Sequence, residues 1–215
     1  MDESRTIAAG WSLAVTVQPA EEPVTLAEAK VHCKVDHAAE DGLLARLIKA
    51  ARELSEAETG QRWVTQTVTY AAADFPRACR HAVVGGRVVP GVMCLPVEPV
   101  QSISAVRYWS DAGVLTSLVV NTDWLAWVGH SPPLLYPAPG KFWPHTQLGR
   151  LAAVEVDAVV GYGAAAAVPA KAQQAILLAV GDWYEHRGDG FDPADRGLPM
   201  GAIRLLRHLA TGSYR

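Results

Sequence analysis

The clearest pattern along the chain is a stripe: Leu43, Leu44, Leu47, Ile48, Ala51 and Leu54 recur at steps of three and four. That period predicts an amphipathic helix with one apolar face. Arg46, Lys49, Arg52, Glu53 and Glu56 fall on the opposite face, where Lys49 can pair with Glu53 and Arg52 with Glu56. Asp36 is a suitable N-cap for this helix, and Gly60 a suitable left-handed stop. Upstream, Thr25 and Glu28 have the spacing of a capping box, so a short helix is expected from Thr25 to near Lys34. Pro23 keeps the chain before it extended.

At Trp63 the period changes from helix to strand. WVTQTVTY alternates and is rich in Thr, Val and aromatics. Further strands are expected at Arg87–Val89, Val92–Leu95, Ile103–Trp109, Leu115–Val120, Trp124–Val128 and Ala153–Val160. Gly85-Gly86, Pro90-Gly91, Asp111–Gly113 and the proline-rich run from Ser131 to Pro144 separate them. Ahead of the helices, Trp11, Leu13, Val15 and Val17 alternate in a way that suits an edge strand.

Helical spacing returns after Val168, with Pro169 in the first turn and Ala172, Ile176, Ala179, Val180 and Trp183 as its stripe. Gly188 ends that helix, the polar loop GDGFDPADRG follows, and LPMGAIRLLRHLA forms a last short helix. The expected fold class is therefore α+β: a helical bundle of N- and C-terminal helices with a central β-rich insertion module. The expected domains are an extended arm over 1–22, a discontinuous helical domain over 23–62 and 168–215, and the β module over 63–167. Five of the seven tryptophans lie in or at the edge of that module.

Composition narrows the function. The 215 residues are half hydrophobic, enough for a real core, and carry a formal charge of -3. Residues 1–64 hold 7 basic and 11 acidic side chains, 65–167 hold 6 of each, and 168–215 hold 6 and 5. Such balance argues against tight nonspecific nucleic-acid binding. From Arg196 onward the tail has Arg196, Arg204, Arg207 and Arg215 and no acid. Cys33, Cys79 and Cys94 suit neither a disulfide framework nor a zinc site, and a reducing compartment is the natural reading. Neither a signal peptide nor a membrane span is expected.

Candidate chemistry is sparse. His32, Cys33, Asp36 and His37 straddle a helix break without metal-ligand spacing, so the expectation is a cap and a turn. Asp182 and His186 suit an intrahelical pair. Arg187-Gly188-Asp189 coincides with a helix end, Gly161-Tyr162-Gly163 with a turn from strand to helix, and His130 and His145 with a proline-rich surface segment. No hydrolase elbow, phosphate loop or zinc-protease motif is present. Glu155 and Asp157 share one face of a strand, and with Asp123 they are the acids available to an alternative reading: a small hydrolytic or carbohydrate-binding domain using tryptophans as its platform. No catalytic residue, cofactor or metal is assigned.

PVTLAEAK, the K-V-D-H turn, the long Leu/Ala helix, E-x-x-T-G and V-T-Q-T together resemble the opening of the tailed-phage head–tail connector (adaptor) family, gene-transfer-agent homologues included. Pro139–Pro144 (PGKFWP), the strand ending at Gly161-Tyr162-Gly163, Val168-Pro169, AILLAVGDWYEHR and Leu198-Pro199-Met200-Gly201 are similar to later parts of the same family. Residues 1–22 lie outside the resemblance, and HLATGSYR runs past where the family's pattern ends. The resemblance implies a non-enzymatic virion neck protein, made in the bacterial host cytoplasm. It would form a ring, usually of twelve, beneath the portal protein and offer a platform to the stopper or tail. DNA would pass through the channel without sequence-specific binding, and no membrane is involved. A stopper or tail-terminator is the alternative within that class. The portal-docking residues expected on this reading are Ile203, Arg204, Leu205, Leu206, Arg207, Leu209, Tyr214 and Arg215. Trp109, Trp124 and Trp143 are the expected contacts between subunits or rings, or else core residues.

Overall fold

Ten strands, four α-helices and one 3₁₀ turn form among the described residues of the computed structural model, which are 11–76, 81–84, 87–186 and 197–210, with backbone alone for 81–84 and 87–90. The strands are β1 (Trp11–Val17), β2 (Gln66–Ala72), β3 (His81–Val84), β4 (Arg87–Pro90), β5 (Met93–Cys94), β6 (Val100–Trp109), β7 (Leu115–Leu118), β8 (Trp124–Trp127), β9 (Leu134–Pro137) and β10 (Val154–Val160). The helices are α1 (Leu26–Cys33), α2 (Asp41–Thr59), α3 (Ala170–Glu185) and α4 (Met200–Leu206). The chain divides into two compact units: Met1–Gln18 with Gln66–Val160, and Pro19–Thr65 with Gly161–Arg215.

In the first unit, strict alternation decides which side chains face the core. Val68, Tyr70 and Ala72 of β2 and Val154, Val156, Ala158 and Val160 of β10 are buried while their neighbours are half-exposed. These strands sit inside an antiparallel five-stranded sheet ordered β1-β2-β10-β6-β7, with β1 at one edge as its alternation predicts. β3 pairs with β4, and β5-β9-β8 form a separate three-stranded sheet. Strand β9 arises within the proline-rich run read as a turn: Leu134 and Leu135 are buried there and pair with Cys94 and Met93.

In the second unit the capping box forms as spelled. The Glu28 amide donates to Thr25 Oγ1 (3.2 Å) and the Thr25 amide to the Glu28 carboxylate (2.8 Å). The Thr25 hydroxyl also donates to the Glu28 carboxylate (2.7 Å), and this bond, with the one from the Thr25 amide, holds the Glu28 pKa below its ordinary value. Lys34 ends α1 in the left-handed region at φ 58°, and Gly60 ends α2 at φ 70°. Helix α2 starts at Asp41, five residues beyond the cap expected at Asp36, and the residue at its cap position, Glu40, makes no capping bond. Asp41 instead pairs with Lys30 at 2.7 Å, tying α1 to α2.

A helical bundle with a β insertion is not what forms. Helix and strand contribute about equally, and the β part is not confined to the centre, since β1 precedes every helix and pairs with β2. α1 and α4, at 8 and 7 residues, are two-turn segments. At ~1.5 Å per residue they are under half the length of α2 and cannot run alongside it as bundle helices. The helices instead surround a shared apolar cluster that includes Leu44, Ile48, Ala51, Ala172, Ile176, Ala179 and Leu206.

Trp63 belongs to that cluster and not to a strand, which starts only at Gln66. Its indole N–H donates to Ser55 Oγ (2.8 Å) and its amide to Glu56 (3.0 Å). The last turns of α2 are thereby covered. Arg52, placed by its helix face among the solvated charges, is only 2% exposed. Its guanidinium meets Glu22 at 2.7 Å, Glu56 at 3.1 Å and Glu53 at 3.4 Å. Burial pulls the Arg52 pKa down, but Glu56, Glu22 and Glu53 outweigh it and hold the value above the ordinary one. The stop expected at Gly188 lies outside the described residues, and α3 ends at Glu185.

Candidate functional site

Two surfaces collect the residues singled out by the sequence, one in each unit. In the helical unit, Pro199 caps α4, where its missing N–H is no loss. One face of α4 goes inward: Ala202 and Leu206 are buried, and Ile203, Leu205 and Leu209 pack half-buried against the same cluster. Gln61 donates its side-chain amide to the Leu209 carbonyl and accepts from the Tyr162 hydroxyl (2.8 Å). The other face carries Arg204, Arg207 and His208 to solvent. Beside it, a recess of about 520 Å³ is lined by Glu58, Thr59, Ile203, Leu206, Arg207 and His208. Tyr214, Arg215 and Arg196 lie outside the described residues.

In the β unit the three tryptophans have different surroundings. Trp124 is a core residue whose indole donates to the Leu118 carbonyl at 3.3 Å. Trp143 is half-buried, stacks on Phe75 (centroids 4.5 Å apart, planes 4° apart) and donates to the Gly91 carbonyl at 2.6 Å. Trp109 is half-buried with the Arg150 guanidinium 3.7 Å above its ring. Of the three, Trp143 alone lines a groove of about 780 Å³, together with Phe75, Pro144, Lys141, Arg150 and Asp111, among others. Its rim is conspicuously apolar: Phe142, Leu148 and Leu151 are 76%, 98% and 87% exposed. The sequence reading missed this patch because the three residues follow neither strand nor helix periodicity.

The acids of the alternative reading are engaged. Arg107 on β6 reaches across to β10 and pairs with both Glu155 (3.2 Å) and Asp157 (2.7 Å), and Asp157 also accepts from the Thr69 hydroxyl (2.7 Å). Asp123 accepts from the Val119 amide (2.9 Å) with Lys141 at 3.8 Å. Arg107, Glu155, Asp157 and Thr69, four side chains from three strands, thus share one polar cluster on the sheet face. Among the described residues no group of three or more His, Cys, Asp or Glu side chains could hold a metal, so His32, Cys33, Asp36 and His37 do not converge. His186 lies 3.4 Å from the Asp182 carboxylate, the intrahelical pair that was expected. Partial burial of the thiol pushes the Cys94 pKa up. Arg187-Gly188-Asp189 and Cys79 fall outside the described residues, within which no helix is long and apolar enough to cross a membrane.

Residues 23–85 match the family model described as phage gp6-like head–tail connector protein. The resemblance carried by the capping box, the long helix and the strand after Gly60 is thereby borne out. Over the whole chain, the fold is similar to a chain in the virion of a native gene transfer agent particle, at 24% identity, covering 93% of this chain and 95% of that one, with a TM-score of 0.71. The same values hold for a chain in the neck of an empty gene transfer agent particle computed with C6 symmetry. A chain in the neck of the native particle computed with C12 symmetry matches at 22% identity, covering 91% and 95%, with a TM-score of 0.61. No curated protein matches the chain.

Proposed function

We propose that this protein is a head–tail connector of the virion neck: a ring-forming structural protein, without catalysis, that sits beneath the portal and offers a platform to the stopper or tail. The observation that carries the reading is the conjunction of two likenesses. The opening third matches a connector family, and nearly the whole fold is similar to chains of gene transfer agent particles, two of them from the neck. The C12 and C6 symmetry of those necks supports a homo-oligomeric ring, with twelve copies as the natural count. The near-neutral sequence suits a channel through which DNA passes without being gripped.

On this reading the helical unit, which holds the expected 23–62 and 168–215, acts as the connector domain, and the β unit, built mainly from the expected 63–167, is the module that meets neighbours. Portal docking falls to the C-terminal segment. Arg204 and Arg207 are its exposed charges, Ile203, Leu205 and Leu209 the half-buried apolar residues beside them, and Tyr214 and Arg215 its continuation. Leu206, at 2% exposure, serves by holding α4 in place. The test is the stoichiometry of this chain to portal in purified particles by quantitative mass spectrometry. A ratio near one, with none in tail-only fractions, is expected. Absence from particles overturns the reading. Deleting 202–215, or the charge reversal R204E/R207E, is expected to lower portal capture in pull-down. Unchanged capture by the double variant removes the docking assignment while leaving the neck reading intact.

A further inference from the structure

The rim of the groove in the β unit leaves three large apolar side chains open, and the fold brings a specific segment to its end. Strand register sets Trp11, Ala72, Val154 and Tyr108 side by side across β1, β2, β10 and β6. Ala73, Asp74 and Phe75 leave β2 at this end of the sheet and line the groove, as does Asp111 just past β6. Trp11, the residue that Met1–Gly10 precede, thus stands at the groove end of β1 and not at its far end. We propose that the groove is a peptide-binding surface whose occupant is this chain's own N-terminal segment, Met1–Gly10.

Reach and chemistry support that occupant over others. Ten residues extended span ~33 Å, ample to cross a recess of this size. The segment MDESRTIAAG offers Ile7, Ala8 and Ala9 to the apolar rim, with Asp2, Glu3 and Arg5 around them. Among the described residues Arg150, stacked on Trp109, has no carboxylate partner and Asp111 no cation; the segment carries both complements. Asp74, by contrast, already accepts from Thr146 (2.8 Å) and from the Phe75 amide (2.8 Å). Tethering raises the effective concentration to roughly millimolar, so modest affinity suffices for occupancy. Occupancy covers Phe142, Leu148 and Leu151. The inference does not depend on the neck reading.

Hydrogen exchange on the full chain tests it, comparing wild type, the point variant I7D and a variant lacking 1–10. Exchange of residues 141–151 is expected to rise at least about tenfold in both variants while the sheet amides of β2 and β10 stay protected. A labelled peptide of sequence MDESRTIAAG is expected to bind the truncated protein, to bind the full chain at least about tenfold more weakly, and to lose affinity when Arg150 is changed to Glu. Unchanged exchange at 141–151 together with no peptide binding overturns the proposal. Equal peptide binding to both proteins also overturns it, since the segment then does not occupy its own groove. A loss of self-association on truncation, read by light scattering, assigns the segment to a second copy and likewise refutes occupancy within one chain.

Discussion

Gly161 carries a clean test of how the helical unit is closed. It sits at φ 109°, a conformation L side chains rarely adopt. A Cβ added there would lie 2.5 Å from the Val64 carbonyl oxygen, 2.7 Å from its carbon and 2.9 Å from the Thr65 nitrogen. All three are backbone atoms. They cannot swing aside, because the Tyr162 amide donates to the Trp63 carbonyl and the Thr65 amide to the Gly163 carbonyl, both at 2.9 Å, on either side of the contact. Gly161→Ala therefore combines backbone strain of about 1–2 kcal/mol with an overpacking cost of about 1–3 kcal/mol. Gly163 is the matched control: φ is 128°, but its Cβ would meet only the Ala167 methyl at 3.4 Å. Gly163→Ala is expected to cost the strain alone. Gly42, in the first turn of α2 with nothing within 4 Å, is the opposite control, and Gly42→Ala is expected to stabilise by up to about 1 kcal/mol. Urea denaturation followed by far-UV circular dichroism ranks the three, and thermal melts should separate the extremes by roughly 10 °C for a chain of this size. Equal losses for Gly161→Ala and Gly163→Ala would show that the approach to Val64 has no energetic weight, and the reasoning would fail.

Removing Arg52 takes the 3.1 Å partner from buried Glu56, with Arg62 at 4.0 Å the next cation among the described residues, so Arg52→Ala is expected to cost about 3 kcal/mol. The paired change Arg52→Met with Glu56→Met is expected to recover most of that loss, and chemical denaturation of the double variant checks it. Thr25→Ala removes one half of the capping box and is expected to cost about 1 kcal/mol. Glu28 titrates below its ordinary value when folded, so its contribution is present above the ordinary carboxylate range and is lost as pH falls through the depressed value. Thr25→Ala should accordingly flatten the acid limb of a stability–pH profile, and an unchanged limb counts against the box. Trp143→Phe keeps the stack on Phe75 but leaves the Gly91 carbonyl without its donor, an expected loss of about 1–2 kcal/mol readable in the same denaturation experiment.

What was legible in the sequence is what short-range physics decides. Thr25 with Glu28 and Gly60 each specify a local geometry that needs no distant partner, and each appears where it was read, while the alternation in β2 and β10 told which side chains face inward although β2 starts at Gln66 and not at Trp63. The misreadings all involve residues whose role is assigned by something far along the chain. Arg52 sits at the helical spacing of a solvated charge, yet it is buried and pairs with Glu22, thirty residues earlier. Leu134 and Leu135 form a strand in a proline-rich run because Met93 and Cys94 offer the edge to pair with. The bundle expectation failed for a related reason: apolar stripes say that helices must be buried, not that they must be buried along one another. The helices of 8 and 7 residues satisfy their stripes against a cluster that includes Trp63, Val64 and Val168, none of them helical. The candidate surfaces follow the same division. The basic face of α4 was readable because Arg204 and Arg207 are three apart on one short helix, whereas the groove was not. Its walls come from segments up to 78 positions apart, Ala73 to Leu151, and only the sheet register brings them to one end of the unit.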